Sequence, residues 1–302
     1  MENSLVFSSS NTIKLSNDAM EELLDPIPEE DLVEKVGILK GWKSKRVQFT
    51  EGQTKTDYFI QHIGRNITLA IFRELKIIRE HSLIGKFRWN VFNWDKSITR
   101  LFPDKIENKI EDVIQNLSTM VNLDILIVDE ETKTIFLLLE QWQNQIVSDT
   151  FLSKVETNVP KYFRAYMCLS NKMLMVENKS ESATKEFVKI IEKAFNVATD
   201  SIRINAMIIR EFVKATPKNL TKLVIRVPQE VAGFAGLTEL TLQGSDVIIG
   251  SKGLMDRHET SPINVGPWTG VSNNKIALKV GKPVRVSSVK DAIWLLNLLK
   301  DF

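Results

Sequence analysis

The residues best arranged for chemistry are Glu177, Asn178 and Lys179, at the end of the apolar run Met173–Val176. Many metal-dependent nucleases present two active-site groups on a strand that ends in Glu-x-Lys. The carboxylate holds Mg²⁺, and the lysine steadies the attacking water or the scissile phosphate. That chemistry needs a further acid, usually on the neighbouring strand. The expected neighbour, Lys161–Cys168, carries none, and Asp124, Asp129 or Glu140 could serve only if another strand lay alongside. The alternative is a polar strand end leading into a helix, which the missing acid favours. No catalytic residue is assigned on this basis, and the Mg²⁺-dependent nuclease stays as the alternative reading.

Other catalytic patterns are missing. His62, His81 and His258 lack ligand-like spacing with one another or with Cys168, so no metal site is expected. The sequence has no Gly-x-Ser-x-Gly elbow and no Gly-Lys-Ser/Thr phosphate loop. Gly233-Phe-Ala-Gly236 and Gly250-Ser-Lys-Gly253 read as turns. No cofactor is expected.

Two segments have the composition of a nucleic-acid surface. Lys40, Trp42, Lys43, Lys45 and Arg46 place an aromatic among cations with no intervening acid. Lys86, Arg88 and Trp89 open a run, Lys86–Trp94, in which Phe87, Trp89, Phe92 and Trp94 interleave with charge and amide. Cations neutralise phosphates and aromatics stack on bases. The competing reading puts the aromatics on the inward face of a strand and the cations in water. Upstream, Asp18, Glu21, Glu22, Asp25, Glu29, Glu30, Asp31 and Glu34 have no Lys or Arg among them. This segment reads either as a solvated face that pairs with the basic one, or as a partner site.

The elements that must position these groups are legible from periodicity. Asn17–Val36, broken by Pro26 and Pro28, predicts two short helices. Gly37–Ile60 predicts strands and turns. Ile67, Ala70, Ile71, Leu75 and Ile78 predict a helix from Asn66 to His81 with Asn66 as N-cap. A second helix is expected from Asp104 to about Met120. Leu123–Val128 with Thr134–Trp142, and Tyr162–Leu169 with Lys172–Val176, predict hairpins. A helix follows over Ser182–Val197, then strands at Ile202–Ile209, Leu223–Val227 and Val247–Ile249. Eight of the thirteen glycines fall between Gly233 and Gly281, a loop-rich stretch. Strands at Lys275–Val280 and Val284–Val286 lead to a closing helix capped by Ser288 with Asp291. The fold class expected is α+β, with mixed, largely antiparallel sheets and packed helices in two lobes, 1–120 and 121–302.

Composition sets the outer bounds. The 302 residues are 43% hydrophobic, enough for a sizeable core, and the formal charge of +2 is no evidence for a polyanion partner by itself. A single cysteine, Cys168, forbids an internal disulfide, and its apolar neighbours predict a buried thiol. No apolar run reaches the length of a membrane span, and Met1-Glu2-Asn3-Ser4 does not look like a secretory leader. The expected location is cytoplasmic.

Two stretches carry a family resemblance. Tyr162–Lys179 with the helix through Phe187 and Phe195, and Gly281–Phe302, resemble the core and the closing strand and helix of the KwaB-like family of prokaryotic Kiwa antiviral defence. The chain also looks like the accessory subunits encoded beside short archaeal Argonautes, which help hold guide and target strands. Either resemblance implies a non-catalytic subunit that holds nucleic acid, whether guide and target or invading DNA. It would work with an Argonaute-like or other defence protein and signal to a membrane effector, with homo-oligomerisation possible. An adaptor without nucleic-acid contact is a further alternative.

Overall fold

The computed structural model describes residues 6–7, 12–42, 49–95, 103–115, 121–148, 154–216, 219–226, 239–244, 247 and 268–302. The fold is α+β with largely antiparallel sheets, and the chain divides into two compact units, Met1–Ile84 and Gly85–Phe302. The boundary expected near residue 120 falls inside the second unit, because the strand Trp89–Trp94 is a member of that unit's main sheet.

The first unit begins with the short strands β1 (Val6–Phe7) and β2 (Thr12–Lys14). Helix α1 (Asn17–Leu24) is capped by Ser16, whose hydroxyl accepts from the Ala19 amide, and α2 (Glu29–Leu39) starts behind Pro28. The two-helix expectation therefore holds. Gly37–Ile60 differs from expectation: α2 runs on to Leu39, and Lys55–His62 is helix α3. The reason is a cap that sequence periodicity overlooks. Thr54 accepts from the Asp57 amide and donates to its carboxylate. Asn66 is likewise not an N-cap. Asn66–Thr68 is strand β3, paired with β2, and Thr68 caps helix α4 (Leu69–Ser82). Leu24, Ile27, Leu32, Tyr58, Phe59, Ile67 and Leu75 form the unit's core.

In the second unit, β4 (Trp89–Trp94), α5 (Pro103–Ile114), β5 (Val121–Asp129), β6 (Thr134–Ser148), β7 (Lys154–Cys168), β8 (Met173–Glu177), α6 (Glu181–Phe195) and β9 (Thr199–Ile202) build one sheet and its cover. The strand order is β5-β6-β7-β8-β4-β9, antiparallel throughout. Both predicted hairpins are present. Alternation sends Leu137, Leu139, Phe163, Ala165, Leu174 and Val176 to the face covered by α5 and α6, where they meet Ile106, Ile110, Phe187 and Ile191. Cys168 is free and fully buried, as its neighbours implied.

Ile202–Ile209 was expected as one strand but switches to helix α7 (Ala206–Ala215). Asn205 caps it by accepting from the Ile208 amide, and Ile208, Ile209, Phe212 and Val213 form a helical, not alternating, buried set. A five-stranded sheet of order β11-β10-β12-β13-β14 follows. Its strands are β10 (Leu220–Arg226), β11 (Glu239–Gln243), β12 (Trp268–Asn273), β13 (Ile276–Lys279) and β14 (Arg285–Val286). The expected strand Val247–Ile249 lies outside the described residues except for Val247, which is buried. Helix α8 (Val289–Leu299) closes the fold with the predicted Ser288 cap. No helix among the described residues is long and apolar enough to cross a membrane.

Two stability effects follow. Leu296 is completely buried, so Leu296→Ala should cost ~2–5 kcal/mol in urea unfolding. A midpoint that does not move would show that α8 is not docked. His81, in the last turn of α4, has its pKa lowered by burial from 6.5 to about 4. The unfolded chain therefore takes up a proton that the folded chain refuses. Stability from this residue is full above pH 6.5 and is lost as pH falls toward 4, by roughly 3 kcal/mol. His81→Leu should flatten that part of the pH profile.

Candidate nucleic-acid interface

At the end of β8, Glu177 is buried, and the β7–β8 register places Arg164 opposite it. The Arg164 guanidinium donates to a carboxylate oxygen at 2.8 Å, and both side chains are under a tenth exposed. Lys179 Nζ lies 3.9 Å from the same oxygen and donates to the Tyr162 carbonyl. Above this pair, the Phe87 ring covers the guanidinium at 4.3 Å, and the Tyr162 ring lies 5.5 Å from it. The strands flanking β8 are β7 and β4, which set Arg164 and Trp89 beside Glu177. Asp124 and Glu140 belong to β5 and β6, neither of which borders β8. The carboxylate is neutralised by a guanidinium and a lysine, an arrangement that leaves little room for a divalent ion. No group of three metal-ligating side chains occurs among the described residues.

The candidate binding residues divide between the units. In the first, Lys40 is exposed at the end of α2, its amide closing on the Val36 carbonyl. Trp42 is half-buried against the unit's core, its ring edge-on to His62 at 5.1 Å. Lys43, Lys45 and Arg46 lie outside the described residues. In the second unit, Lys86 and Arg88 are exposed. Trp89 is not available to a base: it is fully buried, edge-on to Tyr166 at 5.3 Å and to Phe87 at 6.1 Å. Alternation is the cause, since the strand that turns Trp89 inward turns Arg88 out. Trp89 is thus a core residue that holds the backbone of Arg88.

The fold adds three cations that sequence reading missed. Trp89 and Val284 exchange both backbone hydrogen bonds, at 2.9 and 2.8 Å. The Gly281 amide donates to the Ile204 carbonyl at 2.9 Å. These bonds set the backbone that carries Arg203, Lys282 and Arg285, all exposed, beside the start of β4, next to which Lys86 and Arg88 lie exposed. Arg88 and Arg285 flank the bridged pair directly. Gly281 makes the turn possible, with φ +65° in the left-handed region. None of the five cations forms an ion pair with a described residue. Like charges facing each other across strands are destabilising, so folding alone does not account for the cluster. Nothing local marks Arg203 as part of a site, and only the long-range bridge reveals it.

No protein-family model matches this chain, and comparison with curated proteins finds no match.

Removing Arg164 should leave the buried Glu177 charge uncompensated and cost ~3–5 kcal/mol. Replacing both together, Arg164→Met with Glu177→Leu, should recover most of that loss in urea unfolding. If Glu177 instead holds a metal, Mg²⁺ would raise the melting temperature of the wild type and not of Glu177→Gln.

Proposed function

We propose that this chain is a non-catalytic subunit that binds the phosphate backbone of nucleic acid through Lys86, Arg88, Arg203, Lys282 and Arg285. The observation that carries the reading is a set of five exposed cations around the Trp89–Val284 bridge, none ion-paired with a described residue. Cations in such an arrangement release condensed counterions when they meet phosphates, and that release drives binding without base specificity. Trp42 is the candidate stacking ring, with Lys40 beside it. The burial of Trp89 removes that ring as a stacking surface.

A second, partner-binding role is supported by the acidic segment. Asp18, Glu21, Glu22, Asp25, Glu29, Glu30, Asp31 and Glu34 are all exposed on α1, α2 and their connection. Partial desolvation at the helix surface, with Glu34 and Glu30 beside it, pushes the Asp31 carboxyl above its ordinary value. The setting we propose is a prokaryotic antiviral defence complex, with an Argonaute-like protein or a membrane effector as the companion. This setting rests on the likeness of Tyr162–Lys179 and Gly281–Phe302 alone. The nuclease alternative has less support, because its carboxylate is taken up by Arg164.

The test is affinity against salt. Wild-type binding to single- and double-stranded oligonucleotides should fall steeply as salt rises. Each phosphate contact removed should lower the log–log slope by roughly 0.7 to 0.9. Arg88→Glu with Arg285→Glu should weaken binding strongly while leaving the melting temperature unchanged or raised. Intact affinity in that double variant removes this surface from consideration. Metal-dependent cleavage lost in both Glu177→Ala and Lys179→Ala would replace the reading with the nuclease.

A further inference from the structure

A cleft of about 600 Å³ lies between the end of α7, the start of β10, the β12–β13 turn and the first turns of α8. That volume is within the ~300–1,000 Å³ typical of small-ligand sites. Leu220 and Ile276, both buried, contribute an apolar floor. The walls carry groups that local structure holds in place but does not use up.

Trp294 lines the cleft and is 36% exposed, unusual for so large an apolar ring. Its plane is fixed by an edge-on contact with Phe212 at 5.7 Å and 77°. Asp291 has one carboxylate oxygen engaged by the Ser288 hydroxyl at 2.6 Å, and the other makes no bond to a described residue. The side-chain oxygen of Asn273 accepts from the amides of Lys275 and Ile276, at 2.8 and 2.6 Å. Both acceptor positions are thereby used and the amide nitrogen is left to donate. Lys275 lines the cleft, is exposed, and has no ion pair with a described residue.

A flat ring, an acceptor-only carboxylate, an oriented amide donor and a cation form a set matched by one class of ligand. We propose that the cleft binds a single nucleotide. The base stacks on Trp294, Asp291 accepts from ribose hydroxyls or a base amine, and Lys275 meets the phosphate. Sugars share the ring and the carboxylate but give the cation no counterpart. The nucleotide is either a free nucleoside monophosphate or the terminal residue of a strand, and the chemistry is common to both. The proposal does not depend on the cation cluster described above.

Isothermal titration of the full chain with AMP, GMP, CMP and UMP tests it, with adenosine and ribose 5-phosphate as partial ligands. At least one monophosphate should bind saturably and more tightly than either partial ligand. Trp294→Leu, which keeps an apolar contact on Phe212, should weaken that binding by roughly 5- to 150-fold, the range for losing one base–aromatic stack. Lys275→Gln should weaken the monophosphate and leave adenosine unchanged. Arg88→Glu with Arg285→Glu should leave mononucleotide binding intact, so failure of the cation cluster reads separately from failure of the cleft. A short oligonucleotide that competes only through a phosphorylated end would identify the strand terminus as the source, and competition by free monophosphate alone would identify the free nucleotide. The proposal is overturned if no monophosphate and no phosphorylated strand end binds saturably, if Trp294→Leu retains full affinity, or if ribose 5-phosphate binds as tightly as the nucleotide.

Discussion

The ion pair between Arg164 and Glu177 organises the second unit. Taking two charges out of water is expensive, and the cost is offset only where geometry and further hydrogen bonding are good. Here the pair lies directly across two antiparallel strands, with Lys179 as a second cation and Phe87 as a lid. Such a pair discriminates sharply among registers. A slip of one residue in β8 would carry Glu177 to the opposite face, among Phe163, Ala165 and Phe187, away from the Arg164 guanidinium. With β8 fixed, β4 is fixed too, since Trp89 pairs with Glu177 and the Asn178 amide donates to the Arg88 carbonyl at 2.7 Å. The exposure of Arg88 thus traces back to a charge pair buried between the two neighbouring strands of the same sheet.

This arrangement gives the Glu-x-Lys pattern a different meaning from the one its spacing suggests. A nuclease carboxylate must stay open to a cation that arrives from solvent. Glu177 has its cation covalently supplied by the neighbouring strand, in the position where a second acid would otherwise stand. The missing acid in Lys161–Cys168 was legible in the sequence. The presence of Arg164 in its place was legible only once the strands were paired.

Sequence patterns conveyed the hairpins, the two-helix break at Pro26 and Pro28, the burial of Cys168 and the Ser288 cap, because each depends on neighbours a few residues away. Mixed stretches were harder. Asn66–Thr68 carries a helical-looking Ile67 yet pairs with β2, a partner about fifty residues earlier in the chain. Asn205 ends a strand-like run by capping a helix, and one capping residue outweighed the β-branched neighbours on either side. For the site, Lys86 and Arg88 could be picked out because they are adjacent to aromatics. Arg203, Lys282 and Arg285 could not, since what unites them is a backbone bridge. Trp89 was open to two readings, a stacking ring or the inward face of a strand, and the strand's alternation gave it to the core. In the cleft, nothing in the sequence set Trp294 apart from the apolar residues around it, since only the packing of its helix leaves it partly exposed.

The bridge between Trp89 and Val284 also governs when the cation surface comes into existence during synthesis. The strand that follows Arg88 is made early, but Val284, which bridges to Trp89, comes nearly two hundred residues later. A nascent chain emerging from the ribosome could pair β7 with β8 and dock α6 long before Arg285 has been translated. The five cations become neighbours only after that. An unfinished chain therefore lacks the assembled cation surface, and translation order itself delays its formation until Arg285 has been made.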